Sequence, residues 1–340
     1  MASKFRFGLM TPVEHHPDDD IQTRFANVLE LAKLADEAGF DYLDAPQHYL
    51  SASSQYLHCI PVLARLAAET HNVQLCTNII QLTLHNPVEI AEMLATIDVI
   101  SNGRLVAGFG LGYNPKEFAA FGIEKGTRLG RFLEALELIK QLWTGDTVSF
   151  QGKYFSLDDA SIGITPVQKP RPQIIVAASG DKMIVRSASI ADALSLAGHS
   201  TLDGLERQAK LYADALAEQG IQQMPKHYRL MLETYVGKDM ETARRVAMPH
   251  MARKYAGYAS MGQDDVLPEG QHFSADIEEL AKGRFVIGDP DTVAERLAEY
   301  RDRLGLREIG VRMHWLGMPH EDVLRSVELY AERVMPQLAA

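Results

Sequence analysis

VQLCTNIIQLTLHNPVEIAEMLATIDVISNGRLVAGFG, Val73–Gly110, holds the pattern on which the fold turns. Its first ten residues, Val73–Leu82, form a nearly continuous apolar run, as expected of a parallel strand covered on both faces. Pro87 opens a helix, because its fixed φ suits the first helical position, and Asn102-Gly103 ends that helix after Ser101. RLVAGFG, Arg104–Gly110, then reads as a second buried strand. Strand, helix and strand in 38 residues make a βαβ unit.

The same rhythm extends in both directions. Upstream lie a strand at Arg6–Met10, an amphipathic helix over Thr23–Gly39, a short strand at Tyr42–Asp44 and a helix expected from Ser54 to Thr70. Downstream come a helix at Arg128–Leu142, strands at Pro172–Ser179, Ala193–Ala197, Tyr228–Val236 and Glu308–Met313, and a closing helix at Glu321–Met335. Helices at Asp203–Gln219 and Met240–Ala259 fall between these strands, and a short one starts at Asp181. Eight strands alternating with helices in 340 residues predict a single (β/α)8 TIM barrel over residues 1–340. Two segments depart from the rhythm. TVSFQGKYFSL (147–157) reads as a β-hairpin excursion turning at Gln151-Gly152. Ser260–Gly283 has no sustained period and is expected to be a lid insertion before strand eight.

Composition narrows the function. With 34 Lys+Arg against 45 Asp+Glu, the net charge of −11 disfavours nucleic acid and anionic membrane as partners. Hydrophobic residues at 46% and charged residues at 23% are ordinary for a globular chain. Cys59 and Cys76 cannot build a disulfide framework, and MASKFRFGLM carries no apolar leader core, so a cytoplasmic protein is expected.

Barrel active sites lie at the C-terminal strand ends. After strand one, Glu14-His15-His16 has no spaced third ligand and Pro17-Asp18-Asp19-Asp20 beside it reads as a solvated loop, so no metal site is expected. After strand two, Gln47-His48-Tyr49 offers an imidazole for acid–base work. Thr83-Leu84-His85-Asn86-Pro87 supplies another histidine beside a helix start. Gly108-Phe109-Gly110-Leu111-Gly112 lacks a following helix and a downstream acid at dinucleotide spacing, so a Rossmann site is rejected; its glycines would still admit a planar ligand close to the backbone. Arg128 and Arg131 at a helix start, and Ser179-Gly180 before another helix, fit a phosphorylated ligand.

Leu82–Phe118, Arg131–Leu157, Pro166–Ser179 and the C-terminal blocks FVIGDPDTVAERLAEYRDRLG and HWLGMPHEDVLRSVELYAERVMP together resemble the bacterial luciferase-like flavin monooxygenases. The resemblance implies a barrel that binds reduced FMN, or in some branches a reduced deazaflavin coenzyme, across the C-terminal strand ends. His48 takes the position of the family's catalytic base, with Tyr49 or Tyr113 as proton donors. Gln47 replaces a family glutamate, and Leu111 replaces an arginine that helps to hold the flavin phosphate. Asn78-Ile79 matches a non-prolyl cis peptide packed under the flavin ring. Cofactor contacts are assigned to Asn78, Ile79, Gly112, Arg128, Ser179 and Gly180; Gln47, His314 and Trp315 are expected to line the substrate side. The expected reaction is insertion of one oxygen atom from O2 into a small organic substrate, with a separate NAD(P)H-dependent flavin reductase supplying reduced FMN. The alternatives are a deazaflavin-dependent dehydrogenase or reductase and a non-catalytic flavin-binding barrel. A homodimer is expected.

Overall fold

The computed structural model describes residues 5–51, 53–221, 227–260 and 276–339. Eight parallel strands close on themselves: β1 Arg6–Met10, β2 Tyr42–Ala45, β3 Gln74–Thr77, β4 Leu105–Gly110, β5 Gln173–Ala177, β6 Ala193–Ala197, β7 His227–Val236 and β8 Glu308–Arg312. Closure is made by β1 against β8, with Phe7 opposite Ile309 and Gly8 opposite Gly310. The chain therefore folds as a TIM barrel, as its alternating pattern predicts. All six residues of β4 are buried, which explains its unbroken apolar sequence.

The outer helices start where the sequence supplies caps. Asp20 caps α1, Ile21–Glu37, by accepting from the Thr23 N–H. Asn86 caps α3, Pro87–Ile100, with Pro87 in its first turn. The helix α2, Cys59–Glu69, begins five residues later than expected, because Gln55–Tyr56 pair as a short antiparallel ribbon with Glu14–His15 and His58 becomes the cap. The same ribbon carries Glu14 and His15: His15 is buried at 3% exposure, and His16 is exposed. The hairpin excursion is present as Val148–Gln151 against Ser156–Ala160. Of the expected lid, 261–275 lie outside the described residues, and the part that follows contains a helix at Ile277–Ala281.

The barrel bore has its own core of Tyr42, Cys76, Val106, Ile175 and Ala193, separate from the layer between strands and helices. Tyr42 lies across Gly8, where a Cβ would sit 1.9 Å from its ring, so this glycine makes room for the aromatic filling the bore. Charge runs alongside that ring. The Arg229 guanidinium lies 4.2 Å from the Tyr42 centroid, donates from Nε to Glu308 Oε1 at 2.8 Å and from Nη1 to Asp44 Oδ1 at 3.2 Å. Glu308 Oε2 in turn accepts from Arg6 at 3.2 Å. Burial raises the Asp44 carboxyl to about 6 against the opposing pull of Arg229.

Removing one member of a buried pair strands the other, at a cost of about 3–5 kcal/mol. Arg229→Met should therefore lower stability by about that amount at pH 8, read from urea unfolding. The loss should shrink at pH 5.5, because Asp44, already raised to about 6, can then take up a proton instead of standing as an unpaired anion. Equal losses at both pH values would contradict this assignment.

Candidate active site

Residues 46–49 leave the C-terminal end of β2 with alternate side chains on opposite sides. His48, its side chain 33% exposed, brings Nδ1 to 3.2 Å from Glu117 Oε1. Glu117 is fully buried, and the same oxygen accepts the Tyr49 backbone N–H at 2.8 Å. Burial pushes the Glu117 carboxyl up, but the hydrogen bonds from His48 and the Tyr49 N–H outweigh it and hold the group below the usual range. A carboxylate only accepts, so His48 Nδ1 carries the proton and Nε2 is left as the basic nitrogen.

Glu117 was not read from the sequence. It lies on a six-residue helix, Pro115–Ala120, capped by Asn114 and opening on Pro115. This corrects the expectation that no helix follows the glycines closely. Asn114-Pro115-Lys116-Glu117 places an acid three residues after a cap, a recognisable helix start. Here the acid reaches across to β2. The Rossmann rejection stands on the strand itself, since Gly108 and Gly110 belong to β4. A Cβ at Gly108 would lie 2.0 Å from the Thr77 carbonyl, and one at Gly110 would lie 2.7 Å from Ile79 Cδ1. These glycines admit the neighbouring chain, not a planar ligand. Gly112, at φ +73°, faces Gln81 and Phe118 in the same way.

Gln47 and Tyr49 turn away from His48 into a second cluster. Tyr49 Oη is 3.0 Å from both His58 Nε2 and His85 Nε2. This corrects the assignment of Tyr49 as a proton donor to the reacting groups: its hydroxyl is committed to these two imidazoles. Tyr113 does meet His48, edge to face at 5.7 Å between centroids, and Tyr56 does the same from the other side.

The remaining residues distribute around the rim. The Asn78–Ile79 peptide bond is cis, and Asn78 donates its N–H to the Ala45 carbonyl at 2.9 Å. Arg128 opens α4, Arg128–Leu142, and its guanidinium has no ion-pair or hydrogen-bond partner among the described residues. Arg131 is occupied, with Nε on the Thr83 carbonyl at 3.2 Å and its guanidinium over Phe155. Gly180 is exposed at the start of α5, Asp181–Ile190, which has no side-chain cap; the Ser179 carbonyl accepts from Gln208. His48, Asn78, Tyr113 and Ser179 thus follow β2, β3, β4 and β5, four adjacent strands of one half of the mouth.

Beside them a cleft is lined by Met10, Thr11, Glu14, Pro46, Tyr56, Arg312 and His314 among others. Trp315 does not reach it. The indole is fully buried and its N–H is bonded to Glu233, which also pairs with Lys254. Among the described residues no group of three or more His, Cys, Asp and Glu side chains could hold a metal, and no helix is long and apolar enough to cross a membrane.

Comparison with known proteins gives the family. The model for luciferase-like monooxygenases matches residues 5–307, and the chain belongs to that family. Its members are oxidoreductases, and the barrel mouth described above is the region where such an activity would reside. An F420-dependent glucose-6-phosphate dehydrogenase of Nakamurella multipartita is 31% identical over 333 residues, 93% of each chain. Its counterpart in Amycolatopsis mediterranei is 28% identical over 92% of this chain and 95% of its own. Among solved structures, the monooxygenase RslO1 of Streptomyces bottropensis superposes with a TM-score of 0.86 at 26% identity, covering 97% of this chain and 99% of the other.

Burial sets a pH dependence. It lowers His85, beside His58, to about 4, and His199, beside Lys254, also to about 4. Both imidazoles fold neutral, so their contribution is complete above the ordinary histidine value near 6.5 and is lost as pH falls from there toward 4. Each should cost about 2 kcal/mol of stability by pH 5. His85→Gln should therefore lose less stability than wild type between pH 7.5 and pH 5 in chemical denaturation; identical slopes would refute it.

Proposed function

We propose that this chain transfers hydride between a substrate bearing a hydroxyl or carbonyl group and a deazaflavin coenzyme of the F420 type. One observation carries the reading: His48, its side chain 33% exposed, has no partner at Nε2 among the described residues, while Glu117, fully buried, holds the proton on Nδ1. Oxidising an alcohol to a carbonyl releases a hydride and a proton, and the proton needs a base within reach. Nε2 takes the hydroxyl proton, and the Glu117 carboxylate stabilises the imidazolium that results. In the reverse direction the same nitrogen returns the proton to the carbonyl oxygen. The bound coenzyme supplies the hydride acceptor or donor. Two F420-dependent dehydrogenases aligned over nearly the whole chain favour this reading over the FMN and O2 expected from sequence resemblance.

The residues present fit such a group. Thr11 Oγ1, buried beside the cleft, has no partner among the described residues. Asn78 and Ile79 would lie against the ring system, and Arg128 with the Ser179-Gly180 backbone would hold the phosphate-bearing tail. Tyr113 and Tyr56, packed on the His48 ring, would limit water around the base.

A second reading, oxygenation with reduced FMN delivered by a separate reductase, is favoured by the likeness to RslO1. The two part in one experiment. Oxidised deazaflavin and a panel of secondary alcohols and sugar phosphates are mixed with the enzyme without O2, and coenzyme bleaching is followed. Wild type should bleach it, and His48→Ala should be about 10²–10⁴-fold slower while binding the coenzyme normally. Oxygenated product from reduced FMN and O2, with no deazaflavin reduction, would overturn the proposal.

A further inference from the structure

His48 is one residue of the segment that leaves β2, and its neighbours on either side are held far more tightly than a loop requires. Gln47 is buried at 2% exposure. Its Oε1 accepts from the Gln81 N–H at 3.0 Å, which orients the amide so that its Nε2 donates to His58 Nε2 at 3.1 Å. Its Oε1 also lies 3.3 Å from His85 Nε2. Tyr49 Oη sits between the same two imidazole nitrogens at 3.0 Å from each. Gln47, His58, Tyr49 and His85 thus form a closed ring of four polar side chains, with His58 from the cap of α2 and His85 from the segment that follows β3. The Tyr49 ring is packed further on Phe121 at 4.8 Å, beyond the end of the helix carrying Glu117.

The ring needs an uncharged His58. His58 faces a donor at each nitrogen, the Gln47 amide at Nε2 and the Ile60 N–H at Nδ1, 3.3 Å away. A neutral ring accepts at one of these at a time; a protonated ring would accept at neither. Other charged groups facing the cluster are Glu117, through the Tyr49 backbone, and Glu89 of α3 near Tyr49.

From this arrangement we infer that His58, His85 and the Tyr49 hydroxyl are positioning residues that clamp the strand-end segment, so that Tyr49 N–H and His48 Nδ1 converge on a single oxygen of Glu117. Side chains at 47 and 49 are anchored on one side, and His48 is thereby set on the other. None of the three clamp groups touches reacting atoms. The inference rests on the reading of His48 as the base.

The full chain labelled with ¹⁵N-histidine tests it. In wild type the His48 Nδ1–H should give a resolved downfield resonance that Glu117→Gln shifts. Tyr49→Phe, which removes one oxygen and leaves the ring packed on Phe121, should broaden or abolish that resonance. It should also lower kcat about 10- to 100-fold with coenzyme affinity unchanged. His85→Ala should act likewise, and His85→Gln, which keeps a donor, should restore most of the signal. If the resonance and kcat survive Tyr49→Phe intact, the clamp is wrong. If wild type shows no protonated Nδ1 on His48, the reading of the base falls and the clamp falls with it.

Discussion

An ionised carboxyl removed from water must find donors, and the Glu117 carboxylate finds two of them at one oxygen: the imidazole Nδ1–H of His48 and the backbone N–H of Tyr49. Much of the site's geometry follows from that need. The contact ties the short helix after β4 to the segment after β2 and fixes which nitrogen of His48 holds a proton. Without Glu117, His48 would be a half-exposed histidine free to choose its tautomer. With it, the tautomer of the imidazole is set.

Beneath the mouth the bore carries its own electrostatic balance. Arg6, Glu308, Arg229 and Asp44 alternate in sign along a ladder that starts at the N-terminal end of β1 and rises to the level of Met10, which lines the cleft. Two cations and two anions sum to zero, so the floor of the site presents no net charge to a ligand above it. Such a ladder contributes little to stability compared with an apolar core, because desolvation offsets the attraction.

The barrel was legible because its signals are local. The apolar run at Val73–Leu82, the Asn86-Pro87 start and the Asn102-Gly103 stop each act within a few residues, and counting the units gives closure. His48 was legible through its place at a strand end. Glu117 was not, because its role depends on a contact 69 residues away in sequence. The burial of His15 was not legible for the same reason: it pairs with Gln55, 40 residues away, and packs on His314. Trp315 illustrates the converse. A large aromatic just past a strand end suggests a pocket wall, but its indole N–H found the buried carboxylate of Glu233 and the ring went into the core. Gly108 and Gly110 invited a ligand reading, yet the space they leave is taken by Thr77 and Ile79 of the neighbouring segment.

Family membership leaves the choice of coenzyme as the central question, since the same barrel is found in F420-dependent dehydrogenases and in monooxygenases. Equilibrium titration of the intact chain with a deazaflavin and with FMN, each in oxidised and reduced form under anaerobic conditions, addresses it most directly. The account predicts saturable deazaflavin binding at least about tenfold tighter than FMN, a difference of about 1.4 kcal/mol. Equal affinity, or a preference for reduced FMN, would contradict it.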